Sequence, residues 1–222
     1  MSRNILITGA NRGIGLAMAQ QLSAQGDTVY ALVRKASDAL SQCNQVQIIE
    51  NIDVTDTDAL KSATQSLAGV NIDILINNAG ILADEVLGNL DFESIRRQFE
   101  VNCLGPLKVT EAFLGNLSDG SKVAQVTSRM GSIEDNTSGG RYGYRISKTA
   151  LNSASMSLAR DLKPNGIAVA LLHPGYVQTD MVNNMGDVSA ATAAKGLLQR
   201  IEELDLNNSG SFWHANGELL PW

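Results

Sequence analysis

Seven short runs of β-branched or aliphatic residues, separated by longer stretches of helical period, decide most of what this chain can fold into. The runs fall at about Asn4–Thr8, Thr28–Val33, Val46–Glu50, Ile72–Ile76, Lys122–Thr127, Ile167–Leu172 and, shortest, Ser211–His214. They are apolar throughout rather than alternating, as strands buried on both faces are. Between them, apolar residues recur at helical spacing: Ile14, Met18 and Leu22; Leu60 and Leu67 about Thr64; Leu104, Leu107 and Leu117 around Phe113; Leu151, Leu158 and Leu162. Strands alternating with helices predict a parallel sheet covered on both faces, a doubly wound α/β fold. No internal repeat, proline-rich linker or charge run interrupts the 222 residues, so one domain spanning 1–222 is expected. Ligands of such sheets sit beyond the carboxyl ends of the strands. Two loose stretches rich in glycine and small polar residues follow strands there, 128–143 and 179–189, and are the expected pocket walls.

The bulk composition narrows the partners. A net charge of −6 and a pI near 4.9 argue against nucleic acid, whose phosphates need clustered Lys and Arg. Cys43 and Cys103 stand far apart, and neither they nor the two histidines have metal-ligand spacing, so no metal is expected. Two cysteines fit a reducing compartment, and no apolar run approaches the roughly 18 residues of a membrane span, so a cytoplasmic protein is expected.

The first strand runs into Thr8-Gly9-Ala10-Asn11-Arg12-Gly13-Ile14-Gly15 and then directly into a helix. The spacing is G-x-x-x-G-x-G rather than the commoner G-x-G-x-x-G, but the physical needs match. Gly9 permits a tight turn, Gly13 lets backbone approach a pyrophosphate, and Gly15 lets strand and helix pack closely. Free N–H groups at the helix start hold the anion. This is a dinucleotide site on a Rossmann fold. The second strand ends in Val33-Arg34-Lys35, without the acidic residue that would hold the ribose hydroxyls of NAD. Arg34, with Arg12 in the turn, favours a 2′-phosphate and therefore NADP(H).

Tyr144 and Lys148 stand four residues apart on one face of a predicted helix. Reduction of a carbonyl by hydride leaves an alkoxide that needs a proton near neutral pH. Lowering a tyrosine from about 10 to about 7 takes roughly 4 kcal/mol, which a cation at about 4 Å in an effective dielectric of about 20 supplies. Lys148, helped by an oxidised nicotinamide ring, is expected to do so. Tyr142 has Ile146 in the equivalent place and is read as a pocket-wall or core aromatic.

Taken in order and spacing, Thr8–Gly15, Asn77-Asn78-Ala79-Gly80, Asn102, Ser128, Tyr144, Lys148 and Pro174-Gly175 resemble the short-chain dehydrogenase/reductase family. The segment Gly139–Arg145, the segment Gly175–Met181 and the ending Gly217–Trp222 are most similar to its C-factor and Sniffer-type carbonyl reductases. The resemblance implies catalytic roles for four residues. Tyr144 is the acid/base, Lys148 tunes it and holds the nicotinamide ribose, Ser128 orients the substrate oxygen, and Asn102 holds a water that relays protons. It further implies cofactor contacts from Gly9, Asn11, Arg12, Gly13 and Ile14, from Arg34, and from Asp53 and Val54 near the adenine. Asn78, Ala79 and Gly80 would line the centre, and Pro174, Gly175, Val177 and Thr179 the carboxamide end. Asn77 is expected to tie neighbouring strands together. A homodimer or homotetramer is implied, through helices beginning near Asn102 and Tyr144. A cofactor-binding sensor or signalling protein is the competing reading. An epimerase or dehydratase would add a substrate domain for which the chain has no room. The sequence marks no charged constellation in the pocket, which fits a small neutral carbonyl compound.

Overall fold

The computed structural model describes residues 2–222. Its seven-stranded sheet has the order β3-β2-β1-β4-β5-β6-β9, with every neighbouring pair parallel. The strands are β1 (Asn4–Thr8), β2 (Thr28–Leu32), β3 (Val46–Ile49), β4 (Ile74–Asn77), β5 (Lys122–Val126), β6 (Ala168–His173) and β9 (Phe212–His214). The helices are α1 (Gly13–Ala24), α2 (Asp38–Ser41), α3 (Thr57–Ser66), α4 (Phe92–Phe99), α5 (Gly105–Ala112), α6 (Tyr142–Leu162) and α7 (Ala190–Glu202). This is the expected doubly wound Rossmann architecture.

Successive residues of one strand feed opposite faces of the sheet. Ile5 and Ile7 of β1 pack with Met18 and Leu22 of α1 and Leu197 and Ile201 of α7. Leu6 faces the other way, into a cluster with Leu60 of α3, Val109 of α5, Phe113 and Leu162 of α6. Each fully buried side chain of this kind stabilises the fold by about 1.5–3 kcal/mol. The chain direction of the crossovers reverses between β1 and β4, which opens a crevice between the turn after β1 and the segment after β4.

Two features lie outside the sequence expectation. Val177–Gln178 (β7) and Val188–Ser189 (β8) form a separate two-stranded parallel pair, too short to have a readable period. Ile72, expected to open the fourth strand, lies in the preceding loop, where its N–H bonds the Asn116 carbonyl at 2.8 Å.

Gly15 shows how tightly the first turn closes. A Cβ there would stand 2.4 Å from the Gly9 carbonyl oxygen and 2.5 Å from Asn78 Nδ2. Gly15→Ala is expected to cost about 1–3 kcal/mol through overpacking, read as a lower urea midpoint. Gly115→Ala, with nothing within 4 Å, is the control and should change stability by less than about 0.5 kcal/mol.

Candidate active site

The crevice is a cavity of about 360 Å³ that runs from the end of β2 to the start of α6. Its floor is the turn after β1, held from behind by Thr8 and Asn78. Thr8 Oγ1 accepts from the backbone N–H groups of Asn78 and Ala79 at 3.0 Å, and Asn78 Nδ2 donates to the Thr8 carbonyl at 3.0 Å. Thr8 was not singled out in the sequence; its place at the strand end just before the glycines was the available signal. Several other helix starts are closed by a side chain: Asp56 caps α3, Asp91 caps α4 and Ser189 caps α7. The start of α1 has no side-chain cap and no acidic residue in its first turn. Its first N–H groups are left to an anion.

At the other end of this cavity stands Arg34, exposed and without a carboxylate partner among the described residues. Arg12 also lines it, but Asp180 engages its guanidinium at 3.3 Å, so it is not a second free cation beside Arg34. Asp53 lines the same end and is fully occupied. It accepts from Thr55 N at 2.9 Å, Thr55 Oγ1 at 2.7 Å and Arg97 at 3.2 Å. Burial pushes its carboxyl up, and those donors outweigh burial and hold it below the ordinary aspartate value. Arg97, from α4, was invisible in sequence because nothing at 44 residues' separation signals the contact. Asn11, Gly13, Ile14, Val54, Ala79, Gly80, Pro174 and Thr179 line the cavity as expected. Gly175 and Val177 do not; they line a second cavity. An uncapped helix start, a glycine floor and one unpaired cation beyond it fit a dinucleotide that carries an additional phosphate.

The second cavity, about 230 Å³, meets the first at Tyr144, Thr179 and Pro174. Ser128 lines only the second, accepting from Met130 N at 3.2 Å as the cap of the 3₁₀ turn Arg129–Gly131. Met130 and Met181 contribute to its wall; Met185 does not. Tyr142 lines neither cavity and is a half-buried residue at the start of α6. Two guanidiniums, of Arg129 and Arg141, also line this cavity, against the expectation of an uncharged pocket.

Tyr144 and Lys148 are both buried in the first turns of α6. Lys148 Nζ donates to the Val126 carbonyl at 2.9 Å and lies 5.8 Å from the Tyr144 ring centroid. Burial pulls the lysine down to about 8, against a small opposing effect of Cys103. Burial also raises the phenol above its ordinary value, and Ser128 and Arg141 only partly offset this. The lowered tyrosine expected from sequence is therefore not a property of the polypeptide alone, because desolvation exceeds the help of its neighbours.

Asn102 lines neither cavity. It sits in a π-helical turn, Glu100–Leu104, between α4 and α5. Its Nδ2 donates to the Ile81 carbonyl at 2.8 Å and Ser147 Oγ at 3.0 Å, and its Oδ1 accepts from Ile81 N at 2.8 Å. A Cβ on Gly80 would lie 3.2 Å from that oxygen and 3.8 Å from Lys148 Nζ, so amide and ammonium converge where glycine leaves space. Asn77 bridges differently from the expectation. Its Nδ2 donates to Thr110 Oγ1 at 3.0 Å, joining β4 to α5 rather than to a neighbouring strand.

The fold and this arrangement define a dinucleotide-dependent oxidoreductase of the α/β class. A family model described as short chain dehydrogenase matches residues 3–189, and the chain belongs to that family. It is 39% identical over 224 residues to the 1-hydroxy-2-glutathionyl-2-methyl-3-butene dehydrogenase of Rhodococcus sp. (strain AD45), covering 98% of this chain and 99% of that one. It is 46% identical over 154 residues to the C-signal of Myxococcus xanthus, covering 68% and 93% of the two. The NADPH-bound carbonyl reductase from chicken fatty liver superposes with a TM-score of 0.90 at 30% identity, over 100% and 99% of the chains. No helix among the described residues is long and apolar enough to cross a membrane, and no group of three or more His, Cys, Asp or Glu side chains could hold a metal.

The buried ammonium has a measurable cost. Its fall from 10.5 to about 8 corresponds to roughly 3 kcal/mol at 1.36 kcal/mol per pH unit. Lys148→Met should therefore stabilise the fold at pH 7 by about 1–3 kcal/mol, less what is lost with the Val126 hydrogen bond. Below pH 8 the lysine is charged in both states and the gain is full. Between 8 and 10.5 the folded protein sheds the proton first, so the gain shrinks as pH rises. Denaturant midpoints of both proteins across pH 6–11 measure it.

Proposed function

We propose that this protein is an NADPH-dependent carbonyl reductase that interconverts an aldehyde or ketone and its alcohol. The observation that carries the reading is the position of Tyr144 at the junction of the two cavities, with Ser128 in one and Lys148 behind it. Bound in the larger cavity, reduced nicotinamide would supply the hydride. The carbonyl oxygen accepts hydrogen bonds from Ser128 Oγ and Tyr144 Oη, which fixes its carbon at the junction. As negative charge grows on that oxygen, the Tyr144 proton moves to it. The Lys148 ammonium then stabilises the phenolate left behind, a positive charge worth far more in this dry site than in water. Asn102 and Lys148 converge beside Gly80, which supports a water there returning the proton. The free Arg34 and the NADPH-bound relative support NADPH over NADH.

A charge-assisted contact is worth roughly 1.5–3 kcal/mol. Arg34→Ala should therefore weaken NADPH binding by about 10- to 150-fold and leave NADH nearly unchanged in a fluorescence titration. Equal losses for the two nucleotides would remove the basis for the phosphate preference.

Tyr144→Phe keeps the ring and removes the proton. Turnover of a panel of aldehydes, ketones and quinones, followed by loss of NADPH absorbance, should fall by about 10²–10⁴. Tyr142→Phe, outside both cavities, should retain most activity. A Tyr144→Phe protein as fast as the parent would end the mechanism. Tight NADPH binding with no turnover on the panel would favour a cofactor-binding signalling protein, the reading that the C-signal relative supports.

A further inference from the structure

Two arginines in the second cavity have no part in the proton transfer. Arg129 follows Ser128 in the 3₁₀ turn, and Arg141 stands immediately before α6, three residues ahead of Tyr144. They therefore flank the reacting pair, and both line the cavity wall. Each is held side-on: Arg129 Nε donates to Asp135 at 2.6 Å, and Arg141 Nε donates to Asp84 at 2.5 Å. A guanidinium gripped through Nε keeps its direction while its terminal N–H groups stay available. Those of Arg129 have no acceptor among the described residues, and for Arg141 only the Met130 thioether lies near, 4.0 Å from Nη1.

Neither aspartate is in the cavity lining, and no Asp or Glu is. The remaining wall is mostly apolar, apart from His173, Ser128, two threonines and the hydroxyls of Tyr144 and Tyr176. His173 adds no charge: burial, then His214 and Arg129, bring it down to about 3. The Arg129 cation is thus felt across the cavity floor, and with burial it lowers His214 as well. Both side chains are part-exposed and already paired, so neither charge is stranded; what they give the cavity is a positive wall with no anion in it, which favours an acidic ligand. Each arginine already shares its charge with an aspartate, which suits one negative charge better than a doubly charged phosphate. The planar fork of a guanidinium matches a carboxylate.

We propose that the reacting molecule carries a carboxylate, which Arg129 and Arg141 take in the second cavity while its carbonyl or alcohol carbon faces Ser128 and Tyr144. This rests on the carbonyl-reductase reading and narrows its substrate class to oxo acids and hydroxy acids in the broad sense, with the acid remote from the reacting carbon.

The test compares 4-carboxybenzaldehyde with methyl 4-formylbenzoate, which differ in the charge of the remote group and by one methyl. With NADPH in the wild-type protein, kcat/KM for the acid should exceed that for the ester by about tenfold, the lower end of what a charge-assisted hydrogen bond is worth. In Arg129→Met and Arg141→Met the ratio should fall toward one. Binding is read separately from turnover, by calorimetric titration of the NADPH-saturated wild type with 4-(hydroxymethyl)benzoate and its methyl ester. The acid should bind about tenfold more tightly. An ester that reacts and binds as well as the acid would overturn the carboxylate subsite and leave the reduction standing. Tighter binding of the acid, without turnover of either aldehyde, would uphold the subsite and overturn the reduction.

Discussion

Helix α6 can lie where it does only because two glycines let backbone pass within a few ångströms of its neighbours. A Cβ on Gly131 would stand 2.7 Å from the Lys148 carbonyl carbon, and one on Gly143 would stand 2.5 Å from Gln98 Nε2 and 3.0 Å from Ile95 Cα. The first contact sets the helix against the end of β5, where Ser128 sits, and the second sets it against α4. The helix also lacks a side-chain cap of its own, since Arg141 precedes it in left-handed geometry, φ 50°. Glu85, from the loop after β4, supplies the cap by accepting from Gly143 N at 3.0 Å. Its other oxygen accepts from Ser94 Oγ at 3.0 Å and from Gln98. A buried carboxylate with all these donors is satisfied rather than stranded. The relative positions of Tyr144, Lys148 and Ser128 thus follow from close packing on both sides of one helix, not from the loops that close the pocket.

Burial at this site works on two ionisable groups in opposite directions, and both disfavour charge. The phenol is pushed up and the ammonium down to about 8, so at neutral pH the protein alone holds a neutral phenol beside an ammonium that burial has made costly. In the proposed reaction a phenolate at Tyr144 needs an added positive charge in the same space, which an oxidised nicotinamide ring would carry.

Much of this was legible beforehand, and the parts that were not share a cause. The strands could be read because residues buried on both faces leave continuous apolar runs, and Tyr144 with Lys148 because helical spacing is fixed by geometry. The glycine floor was readable because few other residues tolerate that turn. The pairing of Arg12 with Asp180, the grip of Arg97 on Asp53 and the cap from Glu85 join residues distant in sequence, and no local rule announces them. The direction of the Tyr144 shift in the protein alone has a related cause. A pairwise estimate from Lys148 counts one neighbour, whereas desolvation sums over the whole surrounding wall. The two arginines of the second cavity were plain in the sequence, but that they share one wall depends on contacts with Asp135 and Asp84, the latter 57 residues away.

The bare start of α1 has a consequence for the life of the protein as an object in a cell. The donors at the start of α1 and the exposed Arg34 are left to water until an anion takes them. Whatever fills that crevice adds to the stability by mass action, about 2.7 kcal/mol when the nucleotide stands at about a hundred times its dissociation constant. A difference of that size changes the unfolded fraction, and with it exposure to proteases, by about a hundredfold. The folded fraction of the chain would in this way follow the supply of whatever nucleotide the crevice takes.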